Sequence, residues 1–337
     1  MAIEFVTRQE DLIIPKGGLI LTPQKPEDHV MGATSPIDKT VLQENGQWDG
    51  FLPVVEIQRL PDNQYEQESY MCVSFSNQNC KEILHKRKYG YEINMDDQYL
   101  GVGSGTIRGQ GNSVAGVAEW SRKNGWIKEK GRFAWENMDQ VYTPVTEEEL
   151  AEGLKSLEVY ESKYAWLPRG FNSQTSSIET LKEHLKYGPI QASVDGSAYT
   201  FNQQGYIGTF VNYTHEIVIF GYEEGKYWKI FDSETQQPLR FAWDYPFGFP
   251  MLHDFKKKVV TEVVRQTGKV NCYLYSAQLG SYFAIADSDE IVGANNAIGK
   301  VPGGDLVKPF SGGKYPNIPE RDIPVNKIIG EIKARRF

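Results

Sequence analysis

The sequence predicts an α+β fold, with helices gathered in its first half and strands in its second. Three observations carry this prediction. Helix-start signals followed by apolar residues at helical spacing fall between about 69 and 187, with stops at Gly90, Gly125 and Gly188-Pro189. After Pro189 the apolar period changes to two, in runs rich in β-branched and aromatic residues. The two kinds of element occupy separate blocks, which argues against an alternating parallel-sheet fold.

Taken in order, residues 1–60 are rich in Pro and Gly with short apolar runs such as Leu12-Ile13-Ile14 and Leu19-Ile20-Leu21. Extended segments and turns wrapped over a larger core are expected there. The first helix is expected from about Ser69, as its cap, to Gly90, with Phe75, Ile83 and Leu84 on its apolar face. A second spans about 113–124, capped by Ser113 or Asn112 and stopped by Gly125. A third opens with a capping box from Thr146 to Glu149 and runs to about Ser162. A fourth repeats the device from Ser176 to Glu179. Strands follow at Ile190 to Val194, His215 to Tyr222 and Lys226 to Phe231.

Past about 256 the character shifts. Residues 270–286 read as two strands around a turn, followed by a Gly/Pro-rich stretch with one short amphipathic segment, Val325 to Ile332. The expected organisation is an N-terminal extended wrap over 1–44, a main domain over 45–255, and a C-terminal module over 256–337 made of a β-hairpin and a Gly/Pro-rich tail. No internal repeat is visible.

Composition narrows the function classes. The 337 residues are 40% hydrophobic and 24% charged, with no apolar run long enough to span a bilayer. The net charge of −8 argues against binding nucleic acid or an anionic membrane surface. The basic clusters His85-Lys86-Arg87-Lys88, Lys256-Lys257-Lys258 and Arg335-Arg336 read as solvated faces or helix ends. The opening stretch has neither a basic region nor a continuous apolar one, so no secretory signal is expected. Three scattered cysteines, Cys72, Cys80 and Cys272, make neither a disulfide framework nor a zinc site, and a reducing compartment fits them best.

The residues able to do chemistry are few. Cys72 falls where the first helix begins, a position that favours the thiolate through the helix dipole and unpaired N–H groups, so a depressed pKa is expected for it alone. His215 opens an apolar strand, and Asp232 closes the next one. If the two strands form a hairpin through Glu223-Glu224-Gly225, the imidazole and the carboxylate meet at one end of the sheet, where the carboxylate fixes the tautomer. Taken singly, each residue is more simply a structural one. Together they give a nucleophile at a helix start with base and orienter roughly 140–160 residues on, the long Cys-to-His separation of papain-type enzymes.

At these residues the sequence resembles the papain-like cysteine peptidases, with a prokaryotic or phage branch expected. The segment Cys72-Val73-Ser74-Phe75-Ser76 is similar to the family's Cys-Trp-Ala-Phe-Ser around its nucleophile. Asn94 to Leu100, Ala118 to Glu129 and Leu185 to Val194 resemble further segments in the same order. Thr214-His215-Glu216-Ile217-Val218 stands where the family has Asn-His-Ala-Val, and Tyr227 to Ser233 stands for Tyr-Trp-x-x-x-Asn-Ser. The resemblance covers roughly residues 60–250. It implies a papain-like fold, with a helical half, an antiparallel β half and a cleft between them, joined here to a small C-terminal β-containing module.

The resemblance also implies roles: Cys72 as nucleophile, His215 as base and Asp232 as orienter in place of the usual Asn. The family's oxyanion glutamine lies six residues before the nucleophile, where this chain has Glu66 with Gln64 and Gln67 nearby. Gln67 is assigned that role after a one-residue slip, with the Cys72 backbone N–H as second donor. The tryptophan after the nucleophile is Val73, and the one that shields the orienter is absent from Ser233-Glu234-Thr235. The residues ahead of Cys72 lack the long helical pattern of the family's inhibitory propeptide, so self-inhibition by a cleavable prodomain is not expected.

The expected function is hydrolysis of peptide bonds through a thioester, with a polypeptide substrate and no metal or organic cofactor. Two other classes stay open. One is a structural protein of a virion or other assembly, with weak or lost activity and a homo-oligomeric or assembly partner held through 256–337. The other is a cell-wall amidase. With no secretory signal expected, a cytoplasmic or virion-associated location is the expectation.

Overall fold

The computed structural model describes residues 3–12, 14–15, 17–22, 30–31, 37, 39–53, 69–130, 138–170, 173–235 and 238–258, with the strand segments 261–266, 272–276, 281–285, 320–321 and 328–332. The chain divides into two compact units, Met1–Lys256 and Lys257–Phe337.

The first unit is built on one nearly enclosed helix, α1 (Cys72–Tyr89), whose residues from Cys72 to His85 are all buried. Gly90 ends it in the left-handed conformation (φ 78°), donating its N–H to the Lys86 carbonyl, as a glycine after a helix does. The helix begins at Cys72, not at Ser69. Met71 is the N-cap residue and no side chain caps it; the Ser69 hydroxyl instead accepts from the Met71 N–H at 3.3 Å.

Around α1 stand α2 (Asp97–Gly103), α3 (Val114–Asn124), the short α4 (Met138–Val141) and α5 (Glu147–Val159). The Ser113 hydroxyl caps α3 through the Gly116 N–H, and the Thr146–Glu149 capping box opens α5 with both reciprocal bonds formed. The sequence extends α5 to about Ser162, but β1 (Tyr160–Trp166) starts directly after Val159. Helix α6 (Ile178–Leu185) is capped one residue later than expected, because Ser177 accepts from the Thr180 N–H while the Ser176 hydroxyl donates to the Pro168 carbonyl.

The second half forms a six-stranded sheet in the order β1-β6-β2-β3-β4-β5, adding β2 (Ile190–Val194), β3 (His215–Glu223), β4 (Tyr227–Phe231), β5 (Leu239–Ala242) and β6 (Gly248–Lys257). β2 pairs antiparallel with both β3 and β6, and β4 likewise with β3 and β5. The architecture is α+β, as the sequence predicts. Cys80, Ile83 and Leu84 of α1 pack into one core with Ile190, Ala192, Ile217, Ile219, Trp228 and Leu252 of the sheet. Burial of this kind is worth about 1.5–3 kcal/mol for each large side chain. Trp48, fully buried, ties the N-terminal region to this core by donating its indole N–H to the Leu185 carbonyl at 2.8 Å.

In the second unit the described backbone forms a five-stranded sheet in the order β10-β7-β8-β9-β11. Its strands are β7 (Thr261–Gln266), β8 (Cys272–Ser276), β9 (Ser281–Ile285), β10 (Glu320–Arg321) and β11 (Ile328–Ile332). β8 and β9, the two expected strands, pair antiparallel, while β10 and β11 add parallel to β7 and β9; the expected turn between β8 and β9 lies outside the described residues.

Candidate active site

Three elements deliver the three expected residues. Cys72 is the first residue of α1, where the opening N–H groups have no intrahelical acceptors. His215 is the first residue of β3, paired with Val194 of β2. Asp232 follows the end of β4, and antiparallel pairing of β3 with β4 brings it back beside His215. All three are buried.

The His215 Nε2 lies 3.0 Å from Asp232 Oδ1. The carboxylate is over-determined: Oδ1 also accepts from the Glu234 N–H at 3.0 Å, and Oδ2 accepts from the Tyr199 hydroxyl at 2.9 Å. Burial works against the Asp232 charge, but His215 and these donors hold its pKa below the ordinary value. An ionised carboxylate can only accept, so Nε2 carries the proton and Nδ1 is left for the thiol. Burial likewise opposes the imidazolium, yet Asp232, Glu234 and Cys72 together hold the His215 pKa well above its ordinary value.

Cys72 departs from expectation. Burial pushes its thiol up, and this outweighs the charge and hydrogen-bonding pull of His215. The thiol–imidazole contact is also loose, since Nδ1 makes no hydrogen bond of standard geometry. Loose contacts of this kind are common before substrate binds. Cys80 is buried deeper in the core, with its thiol pushed well up, also by burial. Gln67 lies outside the described residues, as do Glu66 and Gln64, and so does the side chain of Cys272.

What buries the nucleophile is the chain's own N-terminal region. The Gly18 and Leu19 N–H groups donate to the Thr214 carbonyl, next to His215, at 3.1 and 3.3 Å. On the other wall the Ile20 N–H donates to the Asn112 carbonyl at 2.7 Å, and the Asn112 N–H returns to the Gly18 carbonyl at 2.9 Å. Residues 17–20 therefore bridge the helical side and the sheet side directly over Cys72. Only glycine fits there: Gly18 has φ +153°, and a β-carbon on it would stand 2.7 Å from the Tyr70 carbonyl oxygen and 3.0 Å from Cys72 Sγ. Gly111 is equally tight, since a β-carbon would fall 1.8 Å from the Gly18 carbonyl oxygen. Pro15 and Gly196 close in beside the His215 ring.

Tyr199 packs against the His215 ring. It sets its ring edge-on to the imidazole, centroids 6.4 Å apart, while bonding Asp232. The sequence reading missed Tyr199, Glu234 and the Gly17-Gly18 crossing. The available signal for Glu234 was its place two residues after Asp232, the spacing of an Asx turn. Glycine pairing at 17–18 hinted at a close backbone approach, but not at which surface.

Among the described residues no cluster of His, Cys, Asp or Glu could hold a metal ion, and no helix is long and apolar enough to cross a membrane.

No family model matches the chain, and no curated protein does. Solved structures similar to it include procathepsin L 3 of the Tenebrio molitor larval midgut, at 13% identity and TM-score 0.44, covering 66% of this chain and 72% of that one. A recombinant stem bromelain precursor matches at 15% identity and TM-score 0.39, covering 61% of this chain and 73% of that one. The bromelain protease from Ananas comosus with the E64 inhibitor matches at 14% and 0.38, covering 56% and 88%. These neighbours are papain-like cysteine peptidases.

Proposed function

We propose that the first unit is a cysteine peptidase of papain-like design, closed in the form described here by its own residues 17–20. The observation that carries this reading is the constellation itself. A thiol at a helix start faces an imidazole whose far nitrogen is fixed by a buried, three-fold hydrogen-bonded carboxylate. A structural cysteine requires none of this apparatus, whereas acyl transfer requires all of it.

In the mechanism this geometry supports, Cys72 gives its proton to Nδ1 of His215 and attacks a peptide carbonyl carbon. The imidazolium, held by Asp232, protonates the leaving amine. Water, deprotonated by His215, then attacks the thioester and frees Cys72. Gln67 and the Cys72 backbone N–H are the proposed donors to the tetrahedral oxyanion. The 17–20 crossing occupies the groove a substrate backbone would take, using the carbonyl of Thr214 and both backbone groups of Asn112. It has to leave before turnover.

Labelling with a peptidyl epoxide, read by intact mass and peptide mapping, tests both parts. A single adduct on Cys72 is expected, absent in Cys72→Ala and strongly slowed in His215→Ala. Deletion of residues 1–22 is expected to speed labelling at least about tenfold, the effect of releasing about 1.4 kcal/mol of blocking contact. An adduct on another residue, or a rate indifferent to His215, would overturn the reading.

A further inference from the structure

Asp232 is not the only carboxylate at the imidazole. The chain turns sharply after it: the Thr235 N–H and hydroxyl both return to the Asp232 carbonyl at 3.2 Å, and the Glu234 N–H donates to Oδ1. The turn carries the Glu234 side chain around to the opposite edge of the ring, where Oε1 stands 3.8 Å from Nδ1 with both groups buried. His215 is thus flanked by Asp232 at Nε2 and by Glu234 at Nδ1, the nitrogen that must exchange a proton with Cys72.

We propose that Glu234 is a positioning residue that competes with Cys72 for the Nδ1 proton and so sets the pH range in which the nucleophile is charged. The proposal rests on the catalytic reading of Cys72 and His215. Its physical content is charge balance. An ionised Glu234, 3.8 Å from Nδ1, already sets a negative charge at the ring edge where a thiolate would form. The thiol therefore keeps its proton to higher pH than in a two-charge pair.

Among the described residues, these further titratable groups face this point. From α1 there is only Cys72, and from β3 His215 and Glu216. From the 196–199 segment comes Tyr199, near Tyr245, and from the turn Asp232. Glu216 also disfavours the thiolate, but its carboxyl accepts from the Ser193 hydroxyl at 2.7 Å and burial lifts its pKa to about 8, so it is neutral over the acid half of the range. Glu234 is distinguished by standing at Nδ1.

The test is a ring-nitrogen NMR titration of the full chain with labelled histidine, the His215 signals being assigned by their loss in His215→Ala. In Glu234→Gln, which keeps shape and removes charge, the His215 midpoint is expected to fall by about one pH unit or more. Both limbs of the kcat/KM profile, where peptide turnover is measured, move to lower pH with it. A purely structural role would lower the height of that profile and leave the midpoints in place. Should the amide not be tolerated, Glu234→Asp, which withdraws the carboxylate by one methylene, is expected to give a smaller shift of the same sign. A His215 midpoint that coincides with the wild type in the folded variant overturns the proposal. The catalytic reading has its own arm: a wild-type midpoint that does not respond to Cys72→Ala would sink the thiol–imidazole pair, whatever Glu234 does.

Discussion

At the scale of single residues, the buried carboxyls divide into two kinds according to what faces them. Asp232 meets the His215 imidazolium and two further donors, so it stays charged. Glu216 meets one hydroxyl and the apolar interior, and burial raises its pKa to about 8. A carboxyl with a folded-state pKa above its unfolded value contributes stability that is present at low pH and lost as pH rises, here between about 4.5 and 8. The loss is on the order of a few kcal/mol. Glu216→Gln keeps an acceptor for Ser193 and removes the titration. It is expected to match the wild type in urea midpoint at pH 5 and to exceed it at pH 9; equal midpoints at both pH values would show that Glu216 is not buried as described. Tyr199→Phe removes a hydrogen bond to a charged group without changing shape. A loss of about 1.5–3 kcal/mol in unfolding free energy is expected.

At the scale of elements, α1 is the most instructive. It is buried on every side, yet it carries Ser74, Asn77, Gln78, Lys81 and Glu82. A helix enclosed this way is usually apolar all round. Hydrogen bonds offset part of that burial. The Lys81 ammonium donates to Asn77 and to Ser121 of α3, and burial lowers its pKa to about 7. Glu82 accepts from the Met95 N–H, and Gln191 of β2 donates to the Val73 carbonyl and the Ser76 hydroxyl. The 17–20 crossing obeys the opposite rule, meeting both walls through its backbone with no room for a side chain at Gly18. Gly18→Val is therefore expected to dislodge it and raise the iodoacetamide rate of Cys72 at least about tenfold, with little change in overall stability. A rate equal to the wild type would mean that the crossing does not limit access. Helix α5 offers a control away from the site: Thr146→Ala should cost about 1 kcal/mol through loss of its capping box and leave Cys72 reactivity unchanged.

At the scale of the molecule, the division after Lys256 bears on how the protein is used. The residues proposed for chemistry all belong to Met1–Lys256, and the six-stranded sheet that positions His215 and Asp232 is complete by Lys257. The unit Lys257–Phe337 is proposed to serve attachment or assembly. A chain ending at Lys258 is expected to fold with an unchanged thermal transition for the first unit and to keep epoxide labelling at Cys72. If labelling and the folded state disappear together, the second unit completes the peptidase core and the proposal for it fails. Retained labelling with a change in oligomeric state, measured by light scattering, would support the attachment role.

Legible in the sequence alone were the α+β class, the stops at Gly90 and Gly125, the Thr146–Glu149 box, the strands starting at Ile190 and His215 and, one residue early, the one starting at Tyr227, and the candidates Cys72, His215 and Asp232, which the fold brings near one another. These are legible because capping, glycine conformation and a period of two act over a few neighbouring residues, and because a hairpin fixes which strand ends meet. Contacts between distant segments settle that the polar helix α1 is enclosed, that Tyr199 bonds Asp232, that Glu234 turns back toward the imidazole, and that residues 17–20 lie on Cys72. They also reverse the expected depression of the Cys72 thiol, since the helix start favours the thiolate but burial there outweighs it. Desolvation and cross-chain contact depend on what arrives from far along the chain, and no local pattern of residues encodes that arrival.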